Sequence, residues 1–138
     1  MATTGSCLCG GVTFSIEGEL EPIQVCHCKQ CRKAQGTPFV SNIPVSAAAF
    51  TLLSGEQLLS VYESSPGKHR FFCKVCGSPV YSRRDGLPEV LRIRAGTLDG
   101  ELQTRPVAHF YYAHRANWFE VNDELPKFPE AYIPVKKP

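Results

Sequence analysis

Seven cysteines, gathered into three short motifs, are the residues of this 138-residue chain most suited to chemistry. Their spacings are C-x-C, C-x-C-x-x-C and C-x-x-C, and their positions are Cys7, Cys9, Cys26, Cys28, Cys31, Cys73 and Cys76. In a reducing compartment, clustering of this kind favours metal ligation over disulfide bonds. Disulfides would need a secretory route, and no signal for one is visible at the N-terminus.

The two outer motifs predict one closed metal site. A C-x-x-C-G turn points two thiolates at a single centre, and the glycine adopts the backbone conformation that closes the turn. Cys73 and Cys76 fit this pattern, and Cys7 with Cys9 forms a tighter turn of the same kind. Four thiolates predict a tetrahedral zinc with a structural role, because no other feature indicates redox chemistry. Such a metal would join two distant parts of the chain.

The central motif then keeps three thiolates for a second metal. Cys26, Cys28 and Cys31 would leave one position open on a tetrahedral ion, as in catalytic zinc sites. Three thiolates on Zn²⁺ carry a net charge of about −1, so the ion polarises carbonyls poorly but still holds an incoming thiol as thiolate. The predicted ligand is a substrate sulfur. His27 lies between two ligands, and we expect it to support the site from beside the metal.

Spacing by itself leaves two other arrangements open. The C-x-x-C pairs at 28–31 and 73–76 could form a ribbon-type site and leave the remaining cysteines dispersed. Alternatively, His27, His69 or His109 could close the three-thiolate site and make it structural. Both arrangements would remove the open position.

Alternation of apolar and polar residues predicts an all-β domain. Strands are predicted at residues 12–17, 23–25, 39–45, 50–53, 58–62, 68–73, 78–83, 90–94 and 107–112. Residues 54–57 are predicted to join two of these strands as a hairpin loop. Residues 28–35 lack β-branched side chains and permit one short helix, which Gly36 would end.

The tail from Asn122 is predicted to be irregular because it contains three prolines, Pro126, Pro129 and Pro134. Phe128 and Tyr132 are expected to pin it to the surface, and Asp99 is expected to form a turn. Phe71, Phe72, Trp118 and Phe119 are predicted to be core residues.

Length and composition indicate one globular domain spanning residues 1–138, with 43% hydrophobic and 20% charged residues. The net charge of +2 is small, and the basic residues form no stripe along the sequence. Neither nucleic acid nor a membrane is therefore an expected partner. Arg83-Arg84 and Arg92-x-Arg94 are assigned to solvated faces and strand exteriors. With no apolar run of about 20 residues, a soluble cytoplasmic protein is expected.

Several motifs together resemble the glutathione-dependent formaldehyde-activating enzyme family, also called the centromere protein V-like family. The matching residues are C-x-C-G-G at 7–11, C-H-C-x-x-C-R-K-x-x-G at 26–36, F-F-C-x-x-C-G-S at 71–78, A-G-T-L-D at 95–99, His109, W-F-E at 118–120 and L-P-x-F at 125–128. They cover nearly the whole chain, and any one of them alone would be weak.

The resemblance implies an Mss4-like fold of small sheets, with a structural zinc on the four outer cysteines and a second zinc on the central three. The second zinc is expected to be catalytic, and its three-thiolate site could make it labile. It implies a carbon–sulfur lyase that joins glutathione and formaldehyde in S-hydroxymethylglutathione. Lys29, Arg32 and Lys33 could then receive the carboxylates of glutathione or offset the thiolate charge. His109, or His114, could act as a general base beside the open zinc position. The alternative is a non-enzymatic zinc-binding scaffold or interaction module.

Overall fold

The computed structural model describes residues 1–131 as ten strands and one α-helix. It confirms the all-β class with one short helix. The elements are β1 (Ala2–Ser6), β2 (Thr13–Glu17), β3 (Ile23–Cys26), α1 (Lys29–Gln35), β4 (Val40–Ser46), β5 (Phe50–Ser54), β6 (Leu59–Ser65), β7 (Lys68–Cys73), β8 (Pro79–Arg84), β9 (Leu87–Arg94) and β10 (Pro106–Phe110). Tyr132 and Pro134 lie outside the described residues.

The strands form two sheets. The small sheet has the order β1-β2-β5, and the large sheet has the order β10-β3-β4-β9-β8-β7-β6. Neighbouring strands are antiparallel except for β10 and β3, which run parallel. The end of β3 therefore lies inside the large sheet, between β10 and β4, where it delivers the central cysteine motif to a rigid position.

The hydrophobic core lies between the two sheets. Phe14 and Ile16 of the small sheet pack with Ile43 and Ile93 of the large sheet, and all four are almost fully buried. Ile43 and Ile93 are directly opposed in neighbouring strands, so they share one face of the sheet. The period-two pattern of these strands is thus explained by one face that packs on the core.

The other face of the large sheet is polar and partly buried, which corrects one prediction. Arg94 is only 4% exposed, although the sequence placed Arg92-x-Arg94 on a solvated exterior. Its Nη1 donates to Asn42 Oδ1 and to Ser82 Oγ, which lie on β4 and β8, the strands on either side of β9. Hydrogen bonds of this kind offset the cost of burying a guanidinium, and sequence alternation alone does not reveal them.

The predicted hairpin at residues 54–57 is wrong. The strand before it, β5, pairs with β2 in the small sheet, whereas β6 pairs with β7 in the large sheet. Gly55 has a φ of 88°, and a short 3-10 turn follows it, so the chain crosses between sheets here. Strand β1 was not predicted, and β10 ends at Phe110 because Tyr111 turns with a φ of 53°.

The ends of α1 explain its short length. The sulfur of Cys28 accepts a hydrogen bond from the Cys31 N–H at 3.2 Å and so acts as the N-cap. Gly36, with a φ of 69°, donates its N–H to the Arg32 carbonyl at 2.7 Å and ends the helix, as predicted. No helix in the described part of the chain has the length and apolar character that crossing a membrane requires.

Candidate metal centres

The first and last cysteine motifs meet in space at a four-thiol cluster, made of Cys7, Cys9, Cys73 and Cys76. One sulfur from each residue lies within 4.8 Å of the other three. The Cys7 and Cys9 sulfurs are 3.5 Å apart, and the Cys9 and Cys73 sulfurs are 3.8 Å apart. Cys7 follows β1 in the small sheet, whereas Cys73 ends β7 in the large sheet. The cluster therefore connects the two sheets.

Local backbone geometry aims these four sulfurs at one point. Gly10 and Gly77 have φ values of 77° and 79°, the left-handed conformation that closes each cysteine turn. The N–H groups of both glycines donate to the carbonyls of the first cysteine in their motif. The Val12 N–H also donates to the Cys7 sulfur at 3.3 Å, which favours its charged form.

Ser78 links the two turns, a role that the sequence did not suggest. Its Oγ accepts a hydrogen bond from the Leu8 N–H at 2.9 Å and lies 3.3 Å from the Cys76 sulfur. Hydrogen bonding to the Ser78 hydroxyl lowers the pKa of Cys76 to about 5. A thiolate at this position is the form that a metal would bind.

These distances fit a zinc ion coordinated by four sulfurs. With Zn–S bonds of about 2.3 Å, the corners of a tetrahedron are about 3.8 Å apart. The measured sulfur separations of 3.5 and 3.8 Å are close to this value and far above the length of a disulfide bond, about 2.05 Å. Zinc, with its preference for closed tetrahedral thiolate sites, would fit here as a structural ion.

The central motif forms a separate three-thiol cluster, made of Cys26, Cys28 and Cys31. All three sulfurs lie within 4.8 Å of one another, and those of Cys26 and Cys31 are 3.5 Å apart. Cys26 is the last residue of β3, Cys28 caps α1, and Cys31 lies in its first turn. The separation of 3.5 Å is close to the edge of a zinc–sulfur tetrahedron, about 3.8 Å, and no fourth protein ligand from the described residues joins the three sulfurs.

Contacts within the three-thiol cluster shift the pKa values of Cys26 and Cys31 in opposite directions. Side-chain hydrogen bonding with Cys26 and Cys28 holds the pKa of Cys31 far below its usual range. The Cys28 and Cys31 sulfurs in turn raise the pKa of Cys26. The Arg70 Nη2 lies 3.7 Å from the Cys31 sulfur and donates to it, which further favours the thiolate.

A buried chain of hydrogen bonds runs behind this cluster. His27 Nε2 lies 2.8 Å from His109 Nδ1, and His109 Nε2 lies 2.8 Å from the Asp123 carboxylate. Both rings are at most 3% exposed. Burial lowers the pKa of His27 to about 4, so it is neutral at pH 7. In a neutral His109, donation from Nε2–H to Asp123 leaves Nδ1 to accept from His27 Nε2–H.

The other predicted site residues belong to neither cysteine cluster. The Lys29 and Lys33 side chains are exposed on α1. Arg32 donates from Nη1 to the His114 carbonyl at 2.9 Å and so braces the turn after β10. His114 is 40% exposed and bonds the Glu130 carboxylate, rather than joining either cluster. In residues 1–131, neither the ribbon-type pairing nor a histidine ligand in the three-thiol cluster is formed.

The prediction that Trp118 and Phe119 belong to the core is wrong. They are 65% and 43% exposed, in a loop after the last 3-10 turn. Phe119 contacts Phe39 edge to face, and Phe39 in turn packs against the His27 ring at a centroid distance of 5.3 Å. The aromatic pair therefore forms an exposed surface beside the cysteine motif rather than filling the space between the sheets.

A mainly β domain with one four-thiol and one three-thiol cluster places the chain among small proteins whose clustered cysteines could hold metal ions. Within this class, residues 2–114 match the family described as glutathione-dependent formaldehyde-activating enzyme. The chain belongs to this family.

One relative carries the name of this family, a second is named a lyase, and one solved structure shares the fold. A protein of Halomonas elongata provisionally named a glutathione-dependent formaldehyde-activating enzyme is 31% identical over 130 residues, which cover 88% of this chain and 82% of that protein. An uncharacterized lyase of Schizosaccharomyces pombe is 31% identical over 77 residues, 56% of this chain and 54% of that one. A Rhodobacter sphaeroides crystal structure shares the fold, with a TM-score of 0.62 at 20% identity, covering 75% of this chain and 99% of that one.

Proposed function

We propose that this protein is a zinc-dependent enzyme of the carbon–sulfur lyase type, acting on a thiol–aldehyde adduct such as S-hydroxymethylglutathione. The observation that carries the proposal is the three-thiol cluster, in which three converging sulfurs leave a fourth position free of ligands from residues 1–131. Family membership supports the same reaction, as do the names of the relatives. Glutathione and formaldehyde are the proposed substrates.

The chain's own residues would hold and orient the thiol. Cys26, Cys28 and Cys31 supply three thiolates on a rigid strand end and helix start. Zinc bound there would keep the sulfur of an incoming thiol deprotonated at neutral pH. A carbon–sulfur bond then forms to the aldehyde carbon while the carbonyl oxygen takes up a proton, and the reverse reaction breaks that bond. Such an addition needs orientation more than a strong acid.

His109 would act on this site through His27 rather than on the substrate. Both of its ring nitrogens already have partners, His27 and Asp123. The neutral His27 ring lies between two metal-binding residues, so the chain of bonds would fix the position of the cysteine motif. Cytoplasmic localisation is part of the proposal, because a thiolate site of this kind needs a reducing compartment.

The proposal is tested by the rate of S-hydroxymethylglutathione formation, followed by NMR exchange between free and adduct signals. Zinc-loaded protein should accelerate exchange, and Cys28→Ser should abolish the acceleration. Serine keeps the N-cap of α1, so this variant should fold and retain the zinc of the four-thiol cluster. Unchanged exchange with the zinc-loaded protein would overturn the lyase proposal and favour a non-enzymatic zinc module.

A further inference from the structure

Four buried or half-buried cations share a face of the large sheet with the three-thiol cluster. Directly opposed residues in neighbouring strands point to the same side of a sheet, as do residues two apart in one strand. On this face Cys26 lies opposite Val40, Asn42 opposite Arg94, and Arg70 opposite Ser82. These cations are Lys68, Arg70, Arg92 and Arg94, and the exposed Arg84 lies opposite Lys68 on the same face. None of them belongs to the basic group that follows the cysteine motif in the sequence.

These cations have donors without partners. Arg70 and Arg94 are 8% and 4% exposed, yet Arg70 Nη1 and Arg94 Nε have no hydrogen-bond partner in the described residues. Within residues 1–131, no carboxylate lies within 4.0 Å of any of the four cations. A buried guanidinium N–H without a partner is costly, so its retention indicates a ligand that completes the site.

The charge balance indicates an anion. Three thiolates and one Zn²⁺ carry a net charge of about −1, which is too little to balance four cations on the same face. Burial lowers the pKa of Lys68; the Cys31 sulfur opposes this shift, and the neighbouring charges of Arg70 and Arg84 add to it. Repulsion among these groups is relieved when a second negative charge enters.

We propose that this cation group binds a carboxylate of the thiol substrate, so that the protein selects anionic thiols over neutral ones. The half-buried Lys68 and Arg92 would contact the carboxylate, while Arg70 and Arg94 support it from the buried side. Arg70 also bonds Cys31, so the carboxylate and the sulfur of one small molecule would be held by adjacent groups. This inference rests on the proposed function, because it assumes a thiol at the three-thiol cluster.

The structure favours this group over the cations of α1. The exposed Lys29 and Lys33 would bind a carboxylate in water, where ion pairs are weak, whereas Lys68 and Arg92 lie on a partly buried face. Binding of the carboxylate by Lys29 and Lys33 and binding by Lys68 and Arg92 are therefore competing predictions. They can be separated with variants that remove the same charge.

The test compares two thiols that differ by one charge, N-acetylcysteine and its neutral amide. Their binding to the zinc-loaded protein is measured by calorimetry at constant salt. Wild-type protein should bind the carboxylate form about tenfold to a hundredfold more tightly than the amide. The double variant Lys68→Gln, Arg92→Gln should bring that ratio close to one, whereas Lys29→Gln, Lys33→Gln should leave it unchanged. Zinc content is measured for every variant.

Each result decides the question. The inference is overturned if the Lys68→Gln, Arg92→Gln variant still prefers N-acetylcysteine to its amide. It is also overturned if the Lys29→Gln, Lys33→Gln variant loses that preference. Equal binding of both thiols by the wild type overturns it too, but leaves the proposed function standing, since the cations would then only balance the thiolates. Failure of both thiols to bind overturns the proposed function together with the inference.

Discussion

At the scale of single residues, the pair of buried histidines is the feature that most changes the interpretation of the site. His109 was predicted as a general base, and that role stays a prediction. Its ring nitrogens, however, lie 2.8 Å from His27 and from Asp123. A base whose lone pair already accepts a hydrogen bond from a neighbouring ring is poorly placed to take a proton from a substrate. A positioning role is therefore the better expectation.

The substitution His109→Asn separates these two roles. It should leave His27 Nε2 buried without its present partner, at a cost of about 1–3 kcal/mol in the free energy of unfolding. If His109 only positions the cysteine motif, thiol binding by calorimetry should weaken along with stability, and the pH profile of adduct formation should keep its shape. Denaturant unfolding and the pH profile are the two measurements.

His114→Asn is the matched control, because His114 is 40% exposed and bonds a surface carboxylate. Its unfolding free energy should change by less than about 0.5 kcal/mol. A pH profile that loses one limb in His109→Asn, but not in His114→Asn, would restore His109 as a general base.

At the scale of elements, the four-thiol cluster connects a turn of the small sheet with a turn of the large sheet. Cys73→Ser removes a fully buried ligand from the end of β7. Because metal binding at such a site is part of the folding free energy, the variant should lose one zinc per chain and melt at a much lower temperature, or fail to fold. Thermal unfolding and zinc content per chain measure this.

Ser78→Ala provides the control for Cys73→Ser at the same turn. It removes the hydrogen bond with the Leu8 N–H but leaves all four sulfurs, so it should cost about 1 kcal/mol and keep both metals. If Cys73→Ser melts like Ser78→Ala with full zinc content, the four-thiolate assignment is refuted.

At the scale of the whole molecule, metals bound in the two clusters should contribute differently to the stability of the fold. The sulfurs of the three-thiol cluster all come from residues 26–31, so a metal bound there would join no distant segments. The four-thiol cluster joins two sheets. Mild chelation should therefore remove one zinc with the fold intact, and stronger chelation should remove the second together with the β-sheet signal. Metal analysis alongside circular dichroism follows both steps.

The order of these two losses is the decisive observation. Simultaneous loss of both metals and of the fold would show that the three-thiol cluster is structural as well. Retention of the fold after both metals are gone would show that the core of Phe14, Ile16, Ile43 and Ile93 is sufficient to hold the two sheets together.

The sequence by itself determined the features that depend on neighbouring residues. Alternation predicted most of the strands, the composition of residues 28–35 predicted the helix, and Gly36 predicted its end. The cysteine spacings predicted converging sulfurs within each motif, since a C-x-x-C-G turn directs its side chains through local backbone geometry. Such features need no information about the rest of the fold.

Only the tertiary structure decided which distant groups meet. Neither the crossing from β5 to β6 nor the burial of Arg94 is visible in local alternation, because both depend on which strands become neighbours. The same holds for the bond between His27 and His109, and for the cations that β7 and β9 place beside the cysteines. Charge and hydrogen bonding act through space, so the environment of the sulfurs is set by sheet order rather than by their spacing in the chain.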